Sequence, residues 1–431
     1  MLSAEAENYV RRRGVNEGRV VLHSDLNNFF ASVECLKHKS LKSYPIAVCG
    51  SKSERHGIVL AKNNIAKKFG ITTGQVIWQA KNLCPDLIVL QPHYEEYAYY
   101  SEIIREIYRS YSDRVEPFGM DEAWIDLTGT EGVRTLSDGV TKANQIRKKV
   151  YEETGLTLSV GISDNKTFAK LASDYKKPDA VTVLGPDEYL SIISNMSIGE
   201  MVFAGRSTQK RLKTFEIETI GDAAQSGLSV FQSLLGKNGI SLYLNACGHD
   251  TSAVTKTSDE DIIKSIGNSV TPPRDLCGYT DIKLMIHALC DKVCTRLRKA
   301  DVRATVVQIH VRDTNLNISE RQCGVLPTDN ELILSEKAMK LYLDNFNIDS
   351  PIRSMGVRAS GLIKNAKECQ SSMFDLSEET EQKYRTIDTT VDNLRKRYGR
   401  NIIKRGLLCT DNTLYSPLFA PKHLINPFHS H

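Results

Sequence analysis

Three carboxylates stand in apolar segments, where a charge is costly. Asp25 closes the apolar stretch VVLHSDL (residues 20–26), and Asp121 and Glu122 interrupt FGMDEAWIDL (residues 118–127). Buried carboxylates of this kind need a cation to neutralise them. Hard divalent cations such as Mg²⁺ prefer carboxylate and carbonyl oxygens together with substrate phosphates. If the two segments form neighbouring strands, these residues, here called the acid trio, converge on a site suited to metal-assisted phosphoryl transfer.

The acid trio also has an ordinary interpretation. Each acid could be a surface turn residue or pair with one of the 56 Lys and Arg residues of the chain. Perturbed acids occur in structural ion pairs as well as in active sites. The spacing alone leaves both interpretations open.

The elements around the trio indicate how it would be positioned. Residues 19–26 predict a buried strand and NNFFASVECLKHK a helix, so Asp25 stands near a strand-to-helix turn. The alternation of strands and helices that follows predicts an α+β domain on a central sheet. Beyond about residue 187 come short helices, then the polar stretch DTSAVTKTSDEDIIKS, typical of a linker, and then a second β-α-β-β-α-β pattern.

Composition excludes several classes of protein. The 431 residues are 41% hydrophobic and carry a net charge of +4, which is compatible with nucleic-acid binding without requiring it. No apolar run is long enough to span a membrane, and the N-terminus lacks an apolar signal core. The ten cysteines include no CxxC pair, and Cys290 and Cys294 are expected to be small core residues. This pattern predicts a protein of the reducing cytoplasm.

Three segments together carry a family resemblance: VVLHSDLNNFFASVE (20–34), FGMDEAWIDLTG (118–129) and SVGISDNKTFAKLASDYKKPDA (159–180). In this order they resemble the Y-family, or translesion, DNA polymerases, most closely the bacterial polymerase IV and UmuC-like type. The resemblance runs from about residue 19 to 375. It implies a right-hand α+β fold with a palm (19–28 and 93–186), fingers (29–92), a small helical thumb (187–255), a linker (256–263), an α/β little finger (264–364) and a C-terminal tail (365–431).

The resemblance assigns the acid trio to metal binding. Asp25 and Asp121 match the two aspartates that bridge the metals in this family, and Glu122 matches its third acid. The backbone carbonyl of Leu26 matches a ligand of the nucleotide-side metal. Two Mg²⁺ ions are therefore implied as cofactors, with Mn²⁺ able to substitute.

Further residues match the nucleotide-binding positions of the family. Backbone amides of Asn28, Phe29 and Phe30 fall where the triphosphate is bound, and amides at a helix start suit anions. Phe30 matches the steric gate that excludes a ribose 2′-hydroxyl, although alone it would be taken for a core aromatic. The ring of Phe29 is expected in the core. Lys177 in KKPDA matches a lysine that contacts the incoming phosphates.

One segment departs from the family pattern. Where the commonest form is TANYEARKFG, this chain has LAKNNIAKKFG. Asn64 replaces a tyrosine and Lys67 an arginine that usually contact the triphosphate. Lys67 keeps the charge but lacks the bidentate fork of arginine. Both remain candidates for nucleotide binding, with altered affinity and geometry.

Two basic segments are candidates for DNA contacts. FAGRSTQKRLKTF resembles a helix-hairpin-helix in which Gly205 is kept and Phe203 replaces the other glycine; a plain helical hairpin is the alternative. In the second domain, Arg296, Arg298, Lys299 and Arg303 form a basic run. Such a run is often a solvated face, but the family uses this domain to follow DNA phosphates.

The polar tail contains one apolar island, QSSMF (370–374). It resembles the pentapeptide that binds the bacterial sliding clamp, with Gln370, Met373 and Phe374 as the anchors. The alternative is a tail that folds back on its own domain.

These features predict an error-prone, template-directed DNA polymerase without proofreading, whose partners are primer-template DNA, dNTPs and a sliding clamp. A monomer in the bacterial cytoplasm, without membrane association, is expected. Two rivals use the same residues. One is a palm-type nucleotidyl cyclase with similar metal chemistry. The other is a catalytically silent scaffold that binds DNA and the clamp.

Overall fold

A computed structural model describes residues 18–50, 57–186, 188–258, 263–364, 378–399, 402–411 and 413–414. The chain divides into two compact units, one formed mainly by residues up to 260 and the other mainly by residues 261–423. Each unit has its own sheet and its own hydrophobic core.

The first unit is built around a five-stranded sheet of order β5-β6-β1-β7-β8. All neighbouring pairs in it are antiparallel except β7 and β8. The described strands of this unit are β1 (Val21–Leu26), β2 (Ile46–Cys49), β3 (Val59–Lys62), β4 (Ile88–Leu90), β5 (Val115–Phe118), β6 (Glu122–Asp126), β7 (Leu158–Ser163) and β8 (Val181–Val183). Because helices cover both faces, β1 and β7 are buried at every residue.

Helices of the first unit occupy three regions. They are α1 (Phe29–Lys37), α2 (Asn64–Lys68), α3 (Ile77–Leu83), α4 (Tyr94–Arg109), α5 (Leu136–Thr154), α6 (Lys166–Tyr175), α7 (Tyr189–Ile193), α8 (Arg206–Lys213), α9 (Ile220–Ser226), α10 (Leu228–Leu235) and α11 (Lys237–Ala246). Helices α2 and α3 share a small core with the separate sheet β3-β2-β4. The short helices α7–α11 enclose another core, centred on Phe231 and Tyr243.

The two faces of the five-stranded sheet pack on different helices. Leu22 and Ile125 lie in one core with residues of α4 and α5. Their neighbours Val21 and Trp124 contact Ala169 of α6 on the other face. This follows from the alternation of side chains along a strand, and it places the face of α6 against the strands that carry the acid trio.

Close packing of α6 on the sheet depends on a glycine. A Cβ atom added at Gly161 in β7 would lie 1.9 Å from the Ala169 carbonyl oxygen and 2.3 Å from the Ser173 nitrogen. The backbone of α6 therefore approaches the sheet more closely than any other residue type would allow. The Asn165 side chain caps the start of the helix by accepting a hydrogen bond from the Phe168 amide, 2.8 Å.

The second unit has the predicted β-α-β-β-α-β order, which is confirmed. Its described elements are β9 (Ser265–Val270), α12 (Gly278–Lys299), β10 (Val302–Asp313), β11 (Ile318–Thr328), α13 (Glu331–Asn345), β12 (Ile352–Lys364) and α14 (Glu378–Tyr398). The antiparallel sheet has the order β11-β10-β12-β9. Helices α12 and α13 cover one face, and Cys290 and Cys294 are fully buried in that core, as expected.

The segment predicted as a polar tail contributes structure to the second unit. Helix α14 begins at Glu378, and Leu408 and Leu414 are buried in the core of α12 and α13. Charged residues of α14 pair with α12, as in the contact of Arg395 with Asp291. This region therefore contains more than an extended peptide.

Candidate active site

Antiparallel pairing of β1 and β6 brings the acid trio to one end of the sheet. Asp25 lies directly opposite Glu122 in the register. The Leu26 amide donates a hydrogen bond to the carbonyl oxygen of Asp121, 3.0 Å, which fixes Asp121 beside the end of β1. The prediction that the two acidic segments form neighbouring strands is confirmed.

Two lysines near α6 supply positive charge to the trio. The Lys177 ammonium lies 2.6 Å from Oδ2 of Asp25 and 2.6 Å from Oδ1 of Asp174. Lys170 forms an ion pair with Oε2 of Glu122. No ion pair joins the Asp121 side chain to a lysine or arginine in the part of the chain that the structure describes.

A buried histidine lies next to Glu122. The His23 ring is fully buried, and its Nδ1 lies 2.8 Å from the Ser173 hydroxyl. Its Nε2 lies 3.2 Å from Oε2 of Glu122, off the line of a good hydrogen bond. Burial lowers the pKa of His23 to about 4, so the ring is neutral at physiological pH.

The three acids have different electrostatic environments. Burial raises the pKa of Asp25 to about 6, with Lys177 opposing the rise. Burial, with the nearby charges of Asp25 and Glu122, raises the pKa of Asp121 to about 7. Burial also acts to raise the pKa of Glu122, but His23 and Lys170 outweigh it and lower that pKa to about 2. Of the three acids, Asp121 is the one without an ion pair to a lysine or arginine among the described residues.

This arrangement fits a divalent cation, although the side chains do not form a finished cage. Among the described residues, no group of three or more His, Cys, Asp or Glu side chains is arranged to hold a metal as it stands. The carboxylates of Asp25 and Glu122 are instead paired with Lys177 and Lys170. The donor set is nevertheless hard oxygen, and because burial raises the pKa of both aspartates, a cation bound beside them would favour their ionised forms.

The start of α1 lies immediately beyond Asp25. Asn28 adopts a left-handed conformation, with φ of 51°, and its side chain does not cap the helix. Phe29 is the first helical residue, and its ring is buried in the core as expected. A helix start whose amides are not capped by a side chain is suited to binding an anion.

Phe30 lies against an aromatic wall provided by α4. Its ring stacks on Tyr97 at a centroid distance of 4.2 Å and an interplanar angle of 11°. Tyr94 meets the same ring edge-on at 5.9 Å. The Tyr97 hydroxyl is in turn bound to Glu34 of α1. These contacts hold the position of the Phe30 ring.

Asn64 and Lys67 lie apart from this charge network. Both are exposed residues of the short helix α2, which is capped by Asn63 through the Ala66 amide. No hydrogen bond or ion pair links either side chain to the acid trio within the described ranges.

Comparisons with known proteins identify the family of this chain. A model of the impB/mucB/samB family matches residues 24–174, and one of the C-terminal domain of that family matches residues 263–373. A DNA polymerase IV of Acetivibrio thermocellus is 43% identical over 92% of this chain and 99% of its own length. A DNA polymerase IV of Oceanobacillus iheyensis is 34% identical over 90% of this chain and 92% of its own.

The chain belongs to the Y family of DNA polymerases.

A solved structure extends the comparison to the fold. A Y-family DNA polymerase chimera matches 80% of this chain and all of its own, with a TM-score of 0.69 and 23% identity. The α+β fold of this polymerase, with its separate C-terminal α/β unit, is therefore that of the family.

Sequence reasoning missed Lys170, Asp174 and His23 as parts of the charge network around the acid trio. Lys166, Lys170 and Asp174 recur at a spacing of four residues in α6, which places them on one face of the helix. That periodicity was the available signal. Lys166 pairs with Glu116 at 2.6 Å and lies over the Trp124 ring, so the same face contacts β5 and β6.

The basic run of the second unit is only partly available to DNA. The Arg298 side chain is 12% exposed and pairs with Asp392 at 2.6 Å and with Asp388 at 3.5 Å. The expectation that some residues of this run bind DNA phosphates stays a prediction, but Arg298 is not available for it, because α14 covers this part of α12. Arg296 and Lys299 are exposed residues.

The anchors of the predicted clamp-binding peptide, Gln370, Met373 and Phe374, lie outside the described residues. In the described ranges, no helix is long and apolar enough to cross a membrane.

Proposed function

We propose that the protein is a translesion DNA polymerase that adds dNTPs to a primer 3′-hydroxyl with two bound Mg²⁺ ions and without proofreading. The observation that carries this proposal is the convergence of the acid trio at the paired ends of β1 and β6, where Asp121 has no ion pair among the described residues. It occurs in a Y-family polymerase, and members of that family are metal-dependent nucleotidyltransferases acting on primer-template DNA and dNTPs.

The acid trio would hold the metals. Asp25 and Asp121 would bridge them, Glu122 would ligate the metal near the primer, and the Leu26 carbonyl the metal near the nucleotide. When bound, the ions lower the pKa of the attacking hydroxyl and offset charge on the triphosphate. Lys170 keeps Glu122 ionised through their ion pair, and His23 lies against the same carboxylate oxygen, which restricts the direction of the Glu122 side chain.

The nucleotide would lie between the start of α1 and Lys177. The amides of Asn28, Phe29 and Phe30 would bind phosphate oxygens, and the Lys177 ammonium would add a compact positive charge. Asn64 and Lys67, exposed on α2, would contact the outer phosphates. Most of the rate acceleration would come from positioning and charge stabilisation.

Primer extension tests this function. Wild type should extend a primed DNA template with dNTPs and Mg²⁺, and Asp121→Asn should reduce the rate about 1,000-fold or more, because one charged ligand of the transition state is lost. Asp86→Asn, which changes an exposed acid elsewhere, is the matched control. DNA binding without extension by the wild type would contradict the proposal and favour the silent scaffold, which no present observation supports. Turnover without primed template would favour the cyclase.

Phe30 is proposed as the steric gate. Its ring is held against Tyr97, so it presents a rigid surface beside the nucleotide site. Phe30→Ala should raise ribonucleotide incorporation relative to dNTP incorporation by at least about tenfold, since a steric clash is removed. Tyr99→Ala, which removes an exposed aromatic of the same region, is the control. Unchanged sugar discrimination in Phe30→Ala would assign the gate elsewhere.

We propose the domain boundaries that the family resemblance implies. The five-stranded sheet draws its strands from the palm ranges 19–28 and 93–186. The small sheet β3-β2-β4 lies within the fingers range 29–92, and α7–α11 lie within the thumb range 187–255. The sheet of the second unit lies within the little-finger range 264–364.

The open face of the little-finger sheet is the proposed surface for DNA phosphates. Arg312 and His310 alternate along β10 with the buried residues Ile309 and Val311, and therefore lie on the face away from α12 and α13. Arg358 of β12 is exposed between buried neighbours in the same way. Contacts of this kind are independent of sequence and sensitive to salt.

Clamp binding is proposed for the peptide that contains Gln370, Met373 and Phe374. This peptide lies between the end of β12 at Lys364 and the start of α14 at Glu378. Changing Met373 and Phe374 to Ala should abolish stimulation by a bacterial sliding clamp and leave basal extension unchanged. Ser372→Ala in the same peptide is the control. Retained stimulation in the double variant would exclude this peptide as the clamp-binding segment.

We further propose that the protein is a monomeric enzyme of the bacterial cytoplasm.

A further inference from the structure

Lys177 contacts two acids that differ in depth. Asp25 Oδ2 and Asp174 Oδ1 each lie 2.6 Å from the Lys177 ammonium. The side chain of Asp25 is 11% exposed, whereas that of Asp174 is 36% exposed and that of Lys177 itself 31%. The ammonium therefore bridges an inner carboxylate of the acid trio and an outer carboxylate nearer the solvent.

The backbone around Lys177 is held in place. Arg147 Nη2 donates hydrogen bonds to Asp179, at 2.7 Å to Oδ1 and 2.5 Å to the carbonyl oxygen. The amide of Val160 in β7 binds the Ala180 carbonyl at 2.8 Å. A change of partner at Lys177 can therefore be made by its flexible side chain alone, without movement of the loop.

The second lysine of the site has a different setting. The Lys170 side chain is 15% exposed, pairs with Glu122 and lies over the Phe118 ring at 5.3 Å. It is thus held by a carboxylate and an aromatic ring at once. Of the two lysines, Lys177 is the one with both an outer partner and greater exposure.

A metal and the Lys177 ammonium cannot share the same oxygen of Asp25. Mg²⁺ ligates a carboxylate oxygen at about 2.1 Å, and a second cation on that oxygen would be strongly repelled. Lys177 is also the residue proposed to bind the incoming phosphates. The ammonium must therefore leave Oδ2 of Asp25 before a metal can ligate that oxygen.

We propose that Lys177 is a positioning residue that couples metal binding to nucleotide binding. The ammonium neutralises Asp25 until a triphosphate arrives, then moves to the phosphates, with Asp174 holding it at the entrance, and so releases Asp25 for the metal. This inference rests on the proposed function, since it takes Asp25 as a metal ligand and Lys177 as a phosphate ligand. It makes Lys177 a competitor of the metal before nucleotide binding and a partner of the nucleotide afterwards.

Direct metal titration of the full-length protein tests the coupling. The probe is Mn²⁺ alone, without nucleotide or DNA, followed by the electron paramagnetic resonance signal of the free ion. Lys177→Gln should bind Mn²⁺ about tenfold more tightly than wild type, because the competing ammonium is gone. Lys176→Gln, which removes the neighbouring exposed lysine, should remain within about twofold and controls for net charge.

A double-mutant cycle separates coupling through Lys177 from a direct effect of the Asp174 charge on the metal. Asp174→Asn should weaken Mn²⁺ binding in the wild-type background, because Lys177 then has only Asp25 as a partner. In the Lys177→Gln background the same change should have no effect, since Asp174 acts through Lys177. An equal loss in both backgrounds would show that Asp174 acts by its own charge and would overturn the coupling.

Two failures can be told apart. If Asp121→Asn weakens Mn²⁺ binding but Lys177→Gln does not tighten it, the coupling is wrong and the proposed metal site stands. If Asp121→Asn titrates like the wild type, the metal site is wrong and the coupling falls with it. Thermal unfolding of each variant identifies any that fails to fold, and Lys177→Met then replaces Lys177→Gln in the cycle.

Discussion

Two clusters of charge in this polymerase are built in opposite ways. The cluster at the proposed active site has four carboxylates, two lysines and one neutral histidine: Asp25, Asp121, Glu122, Asp174, Lys170, Lys177 and His23. The cluster of the second unit sets four carboxylates against three arginines and one histidine: Asp291, Glu331, Asp388 and Asp392 against Arg298, Arg395, Arg405 and His287.

The two clusters differ in their balance of charge. In the second unit every acid of the cluster has a cationic partner. Burial raises the pKa of Asp388, for example, and the nearby Arg298 opposes that rise. At the active site Asp121 has no such partner among the described residues, and its pKa is raised to about 7. A cluster that is short of positive charge is costly to the folded protein and is suited to an external cation.

The largest expected effect on stability comes from breaking the balanced cluster. Arg395 and Asp291 are paired at 2.7 Å, with side chains 9% and 10% exposed. Arg395→Met leaves the Asp291 carboxylate buried without this partner and should lower the free energy of unfolding of the second unit by about 3–5 kcal/mol. Urea unfolding measures this value.

An exposed pair provides the control for this prediction. Lys340 pairs with Asp344 one turn along α13, with side chains 72% and 54% exposed. Lys340→Met should change stability by less than about 0.5 kcal/mol. A loss in Arg395→Met as small as that in the control would show that the cluster is not a structural one.

The same comparison shows what the sequence could predict. The acid trio was predictable because apolar runs predict buried strands, and neighbouring strands must bring Asp25 and Glu122 together. The lysines that pair with these acids were not predictable, because the pairing of Lys170 with Glu122 depends on how closely α6 packs at Gly161. The burial of Arg298 was not predictable either, since its partner Asp392 lies 94 residues further along the chain, in a segment whose polar composition resembles a free tail. Local patterns predict the elements, whereas ion pairs depend on tertiary packing.

A weaker expected effect is an unusual pH dependence of the metal-free protein. Folding raises the pKa of Asp121 to about 7 and that of Asp25 to about 6, so the folded state binds these protons more tightly than the unfolded state. Their contribution to stability is therefore complete below about pH 4 and is lost as the pH rises through about 6 and 7. The buried His23, with a pKa lowered to about 4, gives the opposite slope, but only below about pH 6.5.

The pH range in which the two aspartates act without the opposing effect of His23 therefore runs from about pH 6.5 to pH 8. With a chelator present, the melting temperature should fall across this window, and Mg²⁺ should restore it at pH 8 because a cation offsets the ionised aspartates. Thermal unfolding at fixed ionic strength measures both. A melting temperature that is constant or rises over the window would mean that Asp121 is already neutralised, as in a structural cluster.

The smallest expected effect separates activity from stability at a single residue. Asp121→Asn keeps the shape of the side chain and removes the uncompensated charge, so at pH 8 without metal it should be more stable than the wild type by about 1 kcal/mol. Its pH slope between about 6.5 and 8 should be flattened for the same reason. Asp291→Asn is the matched change in the balanced cluster and should destabilise the protein, because Arg395 would lose its charged partner. Opposite signs for these two isosteric substitutions, measured by thermal unfolding, would establish that one carboxylate is retained for catalysis at a cost in stability and the other for the fold. A loss of stability in Asp121→Asn as well would place both acids in the structural class and would leave the catalytic role to be carried by Asp25 and Glu122.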